Sequence, residues 1–300
     1  MQGLILLNKP AGITSAGAVA RIRRITGEKR VGHTGTLDPM ATGVLPVLLG
    51  RATALSGLML DADKRYTAGI KLGVATDTED ITGSIVSEKP VTVTAAETEA
   101  ALKAFTGKIS QRPPVYSALK KDGVRLYELA RRGEAPELRC REVEIFSLSL
   151  VSAPDRDNVF TVDAHVSKGT YIRSLARDIG EYLGCGACLY SLTRTYAGGF
   201  SLADCVNPDE LNADNVGMFI KSEEEAVRHL RGVTVTPKQA ARFCNGGQLD
   251  FERLKIEKIT DGELFRVKCG GVFLGIGRAD SERSQLAVKC VINYPEGTEK

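Results

Sequence analysis

Apolar residues fall on every second position at Tyr66, Ala68, Ile70 and Leu72, and again at Phe160, Val162, Ala164 and Val166. A period of two puts each set on one face of an extended strand, so both stretches must turn one face to a core. Elsewhere the period is helical. Val19, Ile22 and Ile25 form one stripe, and Ile172, Leu175, Ala176, Ile179 and Leu183 form another that ends at Gly184. Thr14 or Ser15 can cap the first of these helices. Thr94 and Glu97 have capping-box spacing at the head of a third, which carries Leu102 and Phe105 and stops at Gly107. Residues 3–7 read as a short buried strand, followed by a turn at residues 9–12. Strands and helices mix without a regular βαβ rhythm, which predicts an α+β fold with a largely antiparallel mixed sheet flanked by helices. Near Gly232 the pattern shifts to a short helix over residues 238–243, Gly246-Gly247, and short strands at 265–268, 272–276 and 286–292. The chain therefore divides into a core of residues 1–232 and a small β-rich module of residues 233–300.

The net charge of +3 says little about partners, but its distribution says more. Residues 1–51 carry seven basic side chains against two acidic, and residues 108–141 carry nine against four. The counterweight lies at Asp77, Glu79 and Asp80 and along residues 204–225. Such segregation can build a basic face, with the acidic stretches turned away; ordinary solvated helix faces would give the same counts. A composition of 43% apolar and 26% charged residues excludes collagen, coiled coil and disorder. No apolar run approaches the roughly 18 residues of a membrane helix, and no basic region precedes the short apolar stretch at the start, as a secretory signal would require. Seven cysteines, an odd number in a long chain, point to reduced thiols and a cytoplasmic location. Cys185 and Cys188 form one CxxC, but no second close pair completes a structural zinc site, so no metal is expected.

The densest unusual segment is Gly32-His33-Thr34-Gly35-Thr36-Leu37-Asp38-Pro39-Met40-Ala41-Thr42-Gly43. Its three glycines make a loop whose backbone can approach a ligand closely, and no Gly-Lys-Ser/Thr follows as a phosphate-cradling NTPase loop would need. An Asp before Pro is by itself a common turn former. Residues 111–133 interleave Arg and Lys with Tyr116 and Tyr127, a pattern able to neutralise phosphates and stack on bases, or to form a surface loop and an amphipathic helix. Lys168-Gly169-Thr170-Tyr171-Ile172-Arg173 puts Tyr and Arg at a helix N-terminus, where an anion can be held.

Together these segments resemble the TruB family of tRNA pseudouridine synthases. The resemblance runs from Leu6-Leu-Asn-Lys-Pro-Ala-Gly-Ile-Thr-Ser15 through the Gly32 to Gly43 loop to Lys64-Arg-Tyr66. It continues through Leu72-Gly-Val-Ala-Thr-Asp-Thr-Glu-Asp80, Pro113-Pro-Val-Tyr-Ser-Ala-Leu-Lys120, Gly169-Thr-Tyr-Ile-Arg173 and Leu192-Thr-Arg-Thr195, covering roughly residues 3–230. The tail from Val233 through Gly271-Val-Phe-Leu-Gly-Ile-Gly277 resembles, more loosely, the RNA-binding PUA module.

The resemblance implies an isomerase that converts uridine-55 in the T loop of tRNA to pseudouridine without a cofactor. By that resemblance Asp38 is the nucleophile, Arg173 pairs with it, and Tyr66 stacks on the target uracil and assists proton removal. Tyr171 and Leu192 line the base pocket, and His33 enters the RNA loop as the base is extruded. Lys9, Lys64, Lys120 and the Arg21/Arg24 face are candidate phosphate contacts, and residues 108–141 a basic loop that closes over the T-arm. The implied partner is tRNA alone, bound by a monomer with no obligatory protein partner and no membrane. One departure stands out: the family commonly has Arg-Arg after this leucine, where this chain has Thr193-Arg194, and weaker RNA binding is expected there. Two other readings are a non-catalytic tRNA-folding chaperone using the same surface, and a guide-RNA-dependent synthase, which the lack of long basic tails disfavours.

Overall fold

The computed structural model describes residues 1–116 and 138–294, together with the backbone of 120–121 and 124–125. Strands β1 (Gly3–Lys9), β2 (Val31–His33), β3 (Thr42–Leu49) and β4 (Lys64–Leu72) come first. They are followed by the hairpin of β5 (Val74–Thr76) and β6 (Ile85–Glu88), and by β7 (Gly107–Gln111). The short β8 (Lys120–Lys121) and β9 (Val124–Arg125) pair with each other. Then come β10 (Arg141–Ser152), β11 (Val159–Val166), β12 (Ala187–Ala197) and β13 (Phe200–Ser201). Among the described residues these build a nine-stranded sheet in the order β1-β3-β12-β4-β11-β10-β7, with β2 beside β3 and β13 beside β12. Its pairings are antiparallel except where β12 meets β3, which run parallel with Thr193 opposite Thr42 and Arg194 opposite Gly43.

Helices α1 (Ser15–Thr26), α3 (Ala95–Ala104) and α4 (Ile172–Tyr182) lay their apolar stripes on this sheet, while the short α2 (Ser56–Leu60) precedes β4. The alternating residues of β4 and β11 are all buried in one cluster with Val19, Ile22, Leu102, Leu175 and Ile179. Thr14 is the N-cap of α1, its side chain accepting from the Gly17 amide, which frees Ser15 for another task described below. The Thr94–Glu97 capping box forms at α3.

A second sheet holds β14 (Arg231–Thr234), β15 (Leu249–Asp250), β16 (Leu264–Cys269), β17 (Val272–Asp280) and β18 (Gln285–Val291) in the order β14-β16-β17-β18-β15. Helix α5 (Pro237–Cys244) packs Ala240 and Phe243 into its core. A further apolar cluster, with Leu4, Leu6, Leu48, Phe200, Phe273, Ile276 and Ile292, joins the two sheets. The architecture is α+β.

Candidate active site

The loop between β2 and β3 is tied down at almost every turn. Ser15 Oγ donates to the Leu37 carbonyl at 3.0 Å and accepts from the Leu37 amide at 2.8 Å. The Gly12 amide donates to the Pro39 carbonyl at 2.8 Å, and the Ala41 amide to the Asp38 carbonyl at 3.1 Å. Where the loop rejoins β3, Gly43 has φ of +105°, and a Cβ there would stand 2.2 Å from the Arg194 carbonyl oxygen. Only glycine lets β3 approach β12 this closely. These ties present the Asp38 side chain, one-third exposed, to a cavity of about 640 Å³.

Arg173 meets it from the first turn of α4, where Tyr171 is the N-cap. The guanidinium contacts both carboxylate oxygens of Asp38, Nε to Oδ2 at 2.9 Å and Nη2 to Oδ1 at 3.3 Å. It is itself held from behind: Nη1 donates to the Thr78 carbonyl at 3.0 Å and Nη2 to the Tyr116 carbonyl at 2.9 Å, with Asp80 Oδ2 3.8 Å away. Asp80 is buried and accepts from the Thr78 hydroxyl and the Thr82 amide. Glu79, next to it, pairs with Arg177 and accepts from the Ser174 hydroxyl at 2.8 Å. Within the Asp77 to Asp80 stretch, Asp77 is exposed while Glu79 and Asp80 face the guanidinium groups of α4. Both lie behind α4, because buried guanidinium groups there require buried carboxylates.

Tyr66, buried on β4, and Leu192, buried on β12, form one wall of the cavity, with Tyr171 on the wall formed by the start of α4. The Tyr171 backbone is clamped by Gln111, whose side chain accepts from the Tyr171 amide at 2.9 Å and donates to its carbonyl at 3.1 Å. His33 ends β2 at the rim, half-buried, its Nδ1 accepting from the Gly35 amide at 3.3 Å. Burial, and then the charge of Arg194, hold its pKa below the usual 6.5. The cavity thus brings together a carboxylate, its paired guanidinium, an aromatic face and apolar sides, a lining able to hold a flat, uncharged ring beside a charged group.

The family model for the TruB family pseudouridylate synthase N-terminal domain matches residues 23–172, and that for the tRNA pseudouridylate synthase B C-terminal domain matches residues 173–234. The chain belongs to the TruB family of pseudouridylate synthases. Among its relatives, a protein of Azoarcus sp. named tRNA pseudouridine synthase B is 45% identical over 94% of this chain and 92% of its own length. One of the same name from Clostridium perfringens is 40% identical over 95% and 98%. Among solved structures, a chain of a Cbf5-Nop10-Gar1 complex superposes with a TM-score of 0.78 at 27% identity, covering 99% of this chain and 87% of that one. A chain of the archaeal box H/ACA sRNP Nop10-Cbf5 complex gives 0.74 at 26% identity, covering 99% and 88%.

Set against this TruB-family site, Asp38, Arg173, Tyr66, Tyr171, Leu192 and His33 all border the one cavity. Two expected phosphate contacts need correction. Lys9 is fully buried, its ammonium donating to the carbonyls of Pro10 and Ile13 at 2.7 Å each and of Pro39 at 3.4 Å. Lys64 is buried as well and caps the end of α2 through the carbonyls of Leu60 and Ala62. Burial pushes both ammonium groups down to about 8. Both brace backbone, Lys9 wholly enclosed and Lys64 beside the cavity. Arg24 is exposed, but Arg21 is already paired with Asp209 at 2.6 Å. The Lys120 side chain and most of the basic loop expected at residues 108–141 lie outside the described residues. Thr193, in the place of the familiar arginine, bonds its hydroxyl to that of Thr42 at 2.9 Å.

Sequence reasoning missed Ser15, Gln111, Asp80 and Arg194 as members of the site. Asp80 stood inside a quoted motif, but a carboxylate's burial leaves no mark in the sequence. Among the described residues no group of His, Cys, Asp and Glu could hold a metal ion, and Cys185 and Cys188 are buried free thiols. No helix described is long and apolar enough to cross a membrane.

Proposed function

We propose that this protein isomerises uridine-55 in the T loop of tRNA to pseudouridine, with Asp38 as the nucleophile. The coarser statement, a tRNA pseudouridine synthase and hence an intramolecular transferase, rests on the family and on the names of its relatives. One observation carries the finer reading: the two-point pairing of Asp38 with Arg173 at the wall of a base-sized cavity.

The target uridine is stacked within its loop and must be extruded, which costs roughly a few kcal/mol. His33 at the cavity rim helps offset that cost by filling the space the base leaves. Tyr66 stacks on the uracil, while Leu192 and Tyr171 confine it. Arg173 aims Asp38 through its two contacts with the carboxylate oxygens. Asp38 adds to a carbon of the sugar or base and later departs. The N1–C1′ bond breaks, the uracil rotates, and C5 bonds to C1′. The C5 proton is then lost, with Tyr66 assisting, while N1 gains one, so the product is an isomer of the substrate.

In the same reading residues 108–141 close over the T-arm, and residues 233–300 act as a PUA-like grip on the RNA. The protein works as a monomer in the cytoplasm. The two solved relatives are titled as complexes with Nop10, one of them also with Gar1, whereas the curated relatives carry the name of a single synthase, which supports a chain acting alone.

Position-resolved pseudouridine mapping on unmodified tRNA, incubated with this protein alone, tests the proposal. Product at position 55 is expected from the wild type, and none from Asp38→Asn, which should still bind the tRNA. Turnover by Asp38→Asn would overturn the assignment of the nucleophile. Tight tRNA binding without product from the wild type would instead favour a folding chaperone.

A further inference from the structure

Among the described residues Arg194 is the largest fully buried side chain, 1% exposed, on the strand that runs along the cavity. A buried guanidinium normally demands a carboxylate. Among the described residues none lies within ion-pair distance of it, and its bonds run to two backbone carbonyls. Nε donates to Val44 at 2.7 Å and Nη2 to Gly35 at 3.1 Å. Those carbonyls stand at the two ends of the loop that carries Asp38. Gly35 lies over the same group, for a Cβ there would be 3.4 Å from Nη1. The Arg194 backbone holds the loop too, since its pairing with Gly43 is part of the one parallel contact in the large sheet among the described residues.

Mere space-filling would be met better by an apolar side chain, with no charge to desolvate. What a guanidinium adds is a rigid planar fork whose donors lie at fixed separation and angle. An ammonium carries its donors on a single nitrogen and lacks that fixed span between them. The charge also faces the site, acting on His33 and Lys64 from the same cavity wall.

We propose that Arg194 is a positioning residue for the reaction: its guanidinium spans Gly35 and Val44, sets the width of the loop, and so fixes Asp38 against Arg173 and the bound base. The catalytic part of this inference rests on the function proposed above.

The test compares wild type, Asp38→Asn, Arg194→Lys and Arg194→Met for single-turnover rate on a T-arm stem-loop, affinity for that RNA, and thermal unfolding. A misplacement of about 1 Å at a reacting group costs up to ~100-fold in rate, so Arg194→Lys should turn over about tenfold or more below wild type. Its RNA affinity should stay within about threefold, because no solvent-facing charge is lost. A rate loss of that kind, at unchanged affinity and with a cooperative melt, supports positioning. Wild-type turnover in Arg194→Lys, or a loss confined to affinity, overturns it. Should Arg194→Met fail to fold, Arg194→Lys still decides the matter. A wild type that makes no pseudouridine would sink the proposed function instead. The Gly35 amide and His33 imidazole resonances would still report the loop: displaced in Arg194→Lys if Arg194 shapes it, unmoved if it does not.

Discussion

Replacing Ser15 with alanine removes one buried oxygen, and the structure sets what that should do. Ser15 is 2% exposed and Leu37 3%, and the hydroxyl is at once acceptor for the Leu37 amide and donor to its carbonyl. The substitution therefore orphans two buried backbone groups. At about 1–3 kcal/mol for each unsatisfied group, the folded state should lose about 2–6 kcal/mol. Ser15 and Leu37 both border the cavity, so water entering from it brings the loss toward the lower figure. The orphaned residue adjoins Asp38, so the damage should reach the chemistry. Urea unfolding gives the first effect. Tritium release from C5-labelled uridine in a T-arm stem-loop gives the second, with an expected fall in rate of about tenfold or more at nearly unchanged RNA affinity. A stability change under about 0.5 kcal/mol together with wild-type turnover would refute the reasoning, because the loop would then be held without its pin.

Gly43→Ala should be harsher. A Cβ 2.2 Å from the Arg194 carbonyl oxygen, at φ of +105°, must part β3 from β12, and a loss above about 2 kcal/mol in urea unfolding is expected. His33 is held below its usual 6.5 by burial, so the native chain resists a proton that the unfolded chain accepts. Its contribution to stability is present above pH 6.5 and lost as pH falls toward the lowered folded value. His33→Asn should thus flatten the fall in urea midpoint on the acid side, and parallel curves for the two proteins would contradict this. Among the thiols, exposed Cys140 should react first with an aromatic disulfide reagent at neutral pH. Cys188 and Cys205, pushed up by burial to about 11 and about 12, should react only on unfolding.

The strands β4 and β11 were legible because alternation over four apolar positions has one physical solution, and α1 and α4 because a helical stripe without a core would be useless. The Asp38 loop was legible as a break between strands, since its closely spaced glycines and Pro39 punctuate both helix and strand. Depth was not legible. The resemblance made Lys9 and Lys64 candidates for phosphate, yet each ammonium found backbone carbonyls left open by a turn or a helix end. Arg194 and Gly35 are far apart in the chain, and nothing local to either announces that one guanidinium bridges two loop ends. Glu79 and Asp80 suffered the same fate: their sign was plain and their partners, a helix away, were not.

Strand β1 has two edges, and they are satisfied at very different times. Its pairing with β3 needs only residues 42–49. The hydrogen bonds on its other side run from Asn8 and Leu6 to Val206 and from Leu4 to Lys221, and Gln2 bonds to Asn293. At roughly 5–20 residues per second of synthesis, roughly 10–40 s separate the making of β1 from the making of Lys221. Through that interval an apolar strand carries an open edge, the kind of template on which chains aggregate. A chain halted near residue 200 should accordingly be insoluble even with every residue lining the cavity in place. The segment from Val206 to Lys221 then acts, in the life of the nascent chain, as the closing stitch of the catalytic sheet.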